Sequence, residues 1–151
     1  MITKYKIQST GYPAFTLVEL LVVISIIGVL IGLSIFGLTG AREASRDSRR
    51  KAELELVRSG LEIYRADCDG YPVALASPLV GDGTPSTCLA ANTYISQVPT
   101  DPISPTADYK YSSDGVTYEL CASLEQGGAS VSCGGSSACG NSTCNYKVTN
   151  P

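Results

Sequence analysis

The sequence predicts an α+β chain. One long N-terminal helix, apolar in its first half and amphipathic in its second, packs on a small antiparallel sheet with disulfide-stapled loops. Three observations carry this. Leu20 to Leu38 runs for 19 residues without a charge. Apolar residues then recur at steps of three and four through Leu54, Val57, Leu61 and Tyr64. From Cys68 onward the 151-residue chain turns polar and turn-rich, and it holds all six cysteines there.

At about 1.5 Å rise per residue, that 19-residue run covers roughly 30 Å, the thickness of a bilayer's hydrocarbon core. Between Ala41 and Ala66 there is no proline and Gly60 is the only glycine, so the helix continues. Opposite charges four apart at Asp47/Lys51, Arg49/Glu53, Lys51/Glu55 and Arg58/Glu62 agree, each adding roughly 0.2–0.5 kcal/mol. Gly70 and Pro72 mark a stop, which predicts one helix from near Phe15 to about Ala66. Tyr109–Ser112 and Val116–Leu120 alternate in period two around Ser113-Asp114-Gly115, a hairpin pattern. On the second strand Val116, Tyr118, Leu120, Ala122 and Leu124 share a face that covers the helix stripe, and Cys121 faces away. Six prolines from Tyr71 to Pro105 disfavour long strands there, and Tyr146–Val148 is expected as a final edge strand. The expected divisions are a leader over 1–14, an apolar helix over 15–40, its amphipathic half over 41–66 and an exported loop-and-sheet region over 67–151. The last two form one globular domain.

Composition bounds the function. A net charge of -3 and a pI near 4.8 speak against a nucleic-acid binder. The absence of histidine removes Ser-His-Asp and Cys-His catalysis together with histidine metal sites. The chain reads as a structural protein and not an enzyme. Cys68, Cys88, Cys121, Cys133, Cys139 and Cys144 include no Cys-x-x-Cys pair, which indicates disulfides in an oxidising compartment. Of the 15 pairings that six cysteines allow, Cys68–Cys88 staples the long loop to the helix end. Cys121–Cys133 with Cys139–Cys144 is preferred for the rest, each bond adding about 2–4 kcal/mol. A thiolate metal site from the last three is the alternative. No cofactor is required, although calcium around the loop aspartates is a candidate. Against it, Asp67 and Asp69 at a helix end and Asp114 in a turn have ordinary capping and turn roles, and the EF-hand pattern is absent. Asn141-Ser142-Thr143 matches a glycosylation sequon.

Glu19 heads the apolar run, where an ionisable group usually has a partner. Gly28-Val29-Leu30-Ile31-Gly32 has the spacing that lets two helices approach closely. Arg42, Arg46, Arg49, Arg50 and Lys51 read as a solvated, salt-bridged face, or one that meets anionic headgroups or a neighbouring subunit. The positive-inside rule would place this cluster in the cytoplasm, whereas six cysteines place the C-terminal region on an oxidising side.

Ala14-Phe15-Thr16-Leu17-Val18-Glu19-Leu20-Leu21 before the apolar run resembles the class III signal of type IV pilins and type II secretion pseudopilins. Ala41–Asp47, Leu61–Tyr64, Gly70-Tyr71-Pro72, Val98–Pro102 and the tyrosine-rich hairpin extend the likeness to small, major-pseudopilin-like members. The resemblance implies the pilin fold. It also implies a single-pass inner-membrane precursor with its C-terminal domain outside, cut between Ala14 and Phe15 by a prepilin peptidase and methylated on Phe15. With an inner-membrane assembly platform it would then join copies of itself in a cell-surface or periplasmic filament, Glu19 meeting the Phe15 amine of a neighbour. Ala14 stands where most members have glycine, Pro13 precedes it, and the usual kinking proline of the helix is missing. A minor, priming or adhesive pilin is the alternative within the family. A membrane-tethered or secreted disulfide-rich binding domain is the alternative outside it.

Overall fold

The computed structural model describes residues 15–151. The expected leader and Ala14 lie outside the described residues. The elements are helix α1 (Leu17–Cys68) and strands β1 (Leu79–Val80), β2 (Thr93–Ile95), β3 (Lys110–Ser113), β4 (Tyr118–Ala122), β5 (Ala138–Cys139), β6 (Ser142–Thr143) and β7 (Tyr146–Thr149). All pairings are antiparallel, in a three-stranded sheet of order β3-β4-β7 and two ribbons, β1-β2 and β5-β6. This is the α+β architecture expected from the sequence, a long helix with a small antiparallel sheet and disulfide-stapled loops. The chain divides into two compact units between Gly40 and Ala41.

In the first unit the apolar side chains from Leu17 to Ile35, and Leu38, are exposed, and the helix is long and apolar enough to cross a membrane. Ser25 and Ser34 donate their hydroxyls to the carbonyls of Leu21 and Leu30 at 2.6 and 2.8 Å. Each thus satisfies a polar group that lipid could not.

In the second unit the helix buries Leu54, Val57, Leu61 and Tyr64. They pack in one cluster with Tyr118, Leu120, Ala122, Val148, Leu79 and Ile95. Gly60 lies in this contact, where an added Cβ would overlap the Ile95 side chain. The helix ends two residues later than expected, at Cys68. Asp69 closes it in the left-handed region at φ 58°, a position Asp tolerates. Gly70 serves otherwise: a Cβ there would lie 2.9 Å from the Gly115 carbonyl, which accepts the Tyr71 N–H at 2.8 Å.

The hairpin pairs Lys110 with Cys121 and Ser113 with Tyr118. Tyr118, Leu120, Ala122 and Leu124 are buried as expected, but Val116 is 72% exposed. The reason is local: an Asp114 Oδ1 acceptor draws the N–H groups of Val116 and Thr117 (2.9 and 2.6 Å) into the turn before β4 begins. β7 pairs with the other edge of β4, Leu120 opposite Val148. Cys121, facing away from the helix, joins Cys133, Cys139 and Cys144 in a second buried cluster with Val131 beside it. The disulfides are Cys68–Cys88, Cys121–Cys133 and Cys139–Cys144, the pairs preferred from the sequence, and no cysteine is free.

The charge pairs differ from the expected set. Arg49–Glu53 forms at 2.7 Å. Asp47 pairs with Arg50 instead of Lys51, and Arg58 with Glu55 instead of Glu62. Lys51 sits 5.6 Å from the Tyr146 ring centroid, and Glu62 accepts the hydroxyls of Tyr71 and Tyr118. Longer-range acceptors and rings offered these side chains contacts that spacing along one helix does not reveal.

Candidate functional site

The first turn of α1 is built from Thr16 and Glu19. Glu19 Oε2 accepts the Thr16 backbone N–H at 3.0 Å and the Thr16 hydroxyl at 2.7 Å, while Thr16 Oγ1 accepts the Glu19 N–H at 3.3 Å. This reciprocal arrangement is a capping box, which satisfies amides a helix start leaves orphaned. It gives Glu19 a partner inside its own chain, one not foreseen from the sequence. The signal was present as Thr-x-x-Glu before an apolar run.

Phe15 and Leu17 open this segment at 84% and 77% exposure. Added Cβ atoms at Gly28 and Gly32 would meet nothing within 4 Å. Their lack of a side chain therefore serves no contact within the described residues. The positions leave a low strip on a helix surrounded by exposed Val29, Leu30 and Ile31.

A second polar site lies at the start of the buried half of α1. Arg50, fully buried, donates Nε and Nη2 to the two Asp101 carboxylate oxygens at 2.8 and 3.1 Å. Its Nη1 donates to Asp47 Oδ1 at 2.7 Å and to Glu125 Oε1 at 2.9 Å. Arg46 holds Glu125 in a two-point contact, with Nε donating at 2.6 Å and Nη2 to the other oxygen. Asp47 also accepts the backbone N–H groups of Glu125 and Gln126, and Asp101 that of Ile103. Burial by itself disfavours the charge of Arg50, but the bonds from Asp101, Glu125 and Asp47 outweigh it and raise its pKa. The hydrogen bond from Arg46, with help from Arg50, holds the Glu125 carboxyl down at about 2. Burial, then acceptance by Glu53 at 2.5 Å, pushes the neighbouring Tyr109 phenol up.

The expectation that Arg50 belongs to a solvated face is corrected: it is a buried counter-ion, whereas Arg46 stays partly exposed in its salt bridge to Glu125. Asp47 and Arg50 precede Leu54 at the same three- and four-residue steps, so the buried stripe extends toward the N-terminus with a polar head. Reading only apolar residues missed it. Of the aspartates weighed for calcium, Asp67 accepts the Tyr94 hydroxyl and Asp114 accepts amides of its own turn. Among the described residues, one group of three ligand-type side chains converges, Cys68, Asp82 and Cys88, and its two sulfurs are bonded to each other.

These features define an α+β subunit carried on a long, half-apolar helix whose capped start is its distinctive chemistry. Residues 13–37 match the family model of the prokaryotic N-terminal methylation motif. The chain is similar to the type II secretion system core protein G of Escherichia coli (strain K12), 35% identical over 95 residues, 58% of this chain and 64% of that protein. The protein of the same name from Aeromonas hydrophila is 31% identical over 65 residues, 43% of this chain and 46% of that protein. Competence protein ComGC of Streptococcus pneumoniae (strain TIGR4) is 47% identical over 58 residues, 38% of this chain and 54% of that protein. The chain thus spans less than two thirds of the length of these relatives. No solved structure matches it. The chain is thus similar, over these stretches, to type II secretion core proteins G and to a competence protein, and it carries the methylation motif at residues 13–37.

Proposed function

We propose that the chain is a structural subunit of a type IV filament or type II secretion pseudopilus, working by self-assembly and not by catalysis. The observation that carries the reading is the helix from Leu17 to Leu38. It begins at a capped Phe15-Thr16-Leu17-Val18-Glu19 segment and has exposed apolar side chains with no cover from the described residues. Such a surface needs lipid or other helices around it. In this proposal a prepilin peptidase cuts the inner-membrane precursor between Ala14 and Phe15, and the new amine is methylated. An inner-membrane platform then transfers the helix from lipid to a bundle of its copies.

Glu19 has a defined part in that transfer. In the precursor its carboxylate closes the capping box with Thr16. A neighbour's Phe15 amine is a charged donor, and a charge-assisted bond is roughly twice as strong as a neutral one. Exchange of Thr16 for that amine compensates the loss of lipid contact and fixes the axial step between subunits.

The test is the N-terminus and intact mass of the chain recovered from envelopes or sheared filaments. A chain beginning at Phe15 with an N-methyl group supports the reading. A chain beginning at Arg42, cut by a signal peptidase after Thr39-Gly40-Ala41, replaces it with a secreted domain, and an uncut chain leaves a plain membrane anchor.

A further inference from the structure

We propose that the face of α1 turned away from the sheet seats a second copy of this chain, docked by the end of its domain that exposes Asp69, Val73, Asp114 and Val116. This rests on the filament-subunit reading and names its contact surface. From 41 to 66 the helix carries seven basic and five acidic residues in 26 positions. None falls on the line Ser45, Ser48, Ala52, Leu56, Ser59 and Ile63, all exposed. At about 100° per residue these six positions lie opposite the buried Leu54, Val57 and Leu61. A helix face left to water gathers its charges opposite the buried stripe. Here they stand on the flanks, and the outermost line presents Leu56 and Ile63, 59% and 58% exposed, among alanine and serine.

Charge selects the occupant. The flanks offer Arg42 and Lys51, neither of which makes an ion pair among the described residues. After Ala66 the same chain has eight acidic residues against two lysines. At the end of α1 the Tyr71 N–H bonded to the Gly115 carbonyl brings two loops together. There Asp69 and Asp114 are exposed without an ion-pair partner among the described residues, next to Val73 and Val116 at 77% and 72% exposure. An acidic patch with apolar tips matches an apolar line with basic flanks. Because the two patches are different surfaces of one molecule, their contact is heterologous and propagates head to tail.

The experiment places a photo-crosslinking benzoyl-phenylalanine at position 56 of the full chain in cells that assemble it. A dimeric adduct joining position 56 to the peptide containing 69–73 or 114–116 is expected. Adducts with lipid alone, with another protein alone or with a different segment of the copy overturn the proposal, as does no adduct. In a second arm, Ala52→Glu sets like charges against the acidic patch and lowers filament yield about tenfold, the change that 1.4 kcal/mol per contact produces. Val116→Lys in the same chain restores it; unchanged yield with Ala52→Glu counts against the contact. The N-terminus, read in parallel, separates the two readings. A Phe15 terminus without the adduct removes the surface and keeps the filament subunit. The adduct in a chain not cut at Phe15 does the reverse.

Discussion

Arg50 and Asp101, 51 residues apart in sequence, meet in a two-point contact with neither side chain exposed to solvent. The pair fastens the 98–103 loop to the helix, and Asp47 with Glu125 fastens the segment after β4 to the same guanidinium. Neutralising Asp101 removes the charge that faces two of the four guanidinium bonds in a buried site, with Asp47 and Glu125 left on Nη1 alone. Asp101→Asn should therefore lower unfolding stability by about 3–5 kcal/mol, whereas the apolar double substitution Arg50→Met with Asp101→Leu should recover part of that loss. Urea titrations of the three chains followed by circular dichroism measure it; equal stability of Asp101→Asn and the native chain would refute the clamp.

Glu125 supplies a pH signature. Its folded carboxyl titrates at about 2, below the ordinary value near 4.3. A depressed pKa gives stability that is fully present above the ordinary value and is lost as pH falls toward 2. Native and Glu125→Gln chains should thus differ most in urea midpoint above pH 5 and converge by about pH 2. A gap that stays constant over that range would mean the ion pair contributes nothing.

Gly60 reverses the usual helix rule. Alanine is favoured over glycine by about 1 kcal/mol inside a helix, yet a Cβ here overlaps Ile95. Gly60→Ala should destabilise by about 1–3 kcal/mol through overpacking, and adding Ile95→Ala should relieve most of it. Thermal unfolding of the single and double variants decides, since a more stable Gly60→Ala chain is the opposite result.

Thr16→Val removes the oxygen that accepts the Glu19 amide and the hydroxyl that donates to its carboxylate. Loss of such a cap costs about 1 kcal/mol. Amide hydrogen exchange in detergent micelles should quicken for the first turn, Val18 to Leu20, and stay unchanged around Ser34. Uniform exchange along the helix would show that the cap holds nothing.

The helix, hairpin and edge strand were legible because periodicity reports burial directly, and Leu54, Val57, Leu61 and Tyr64 keep one face. What escaped was polar. Arg50 looked like one more surface arginine because its partners come from positions 101 and 125, distances over which local charge spacing carries no information. Val116 fitted the strand alternation but was claimed by the turn chemistry of Asp114. At the N-terminus the Phe15–Leu20 segment was plain, whereas the Thr16–Glu19 box stayed hidden because the charge of the carboxylate is more conspicuous than the orphan amides beside it.

β4 is a wall shared by two interiors: Leu120 and Ala122 press on the helix cluster, and Cys121 on the half-cystine cluster. A strand slipped by one residue exchanges its faces. Cys121 would then point toward the helix, out of reach of Cys133, while Leu120 and Ala122 would enter the space that sulfur now fills. Oxidation at Cys121 thus acts as a proofreader of strand alignment. Only a correctly threaded sheet can be sealed, and once sealed it cannot slide.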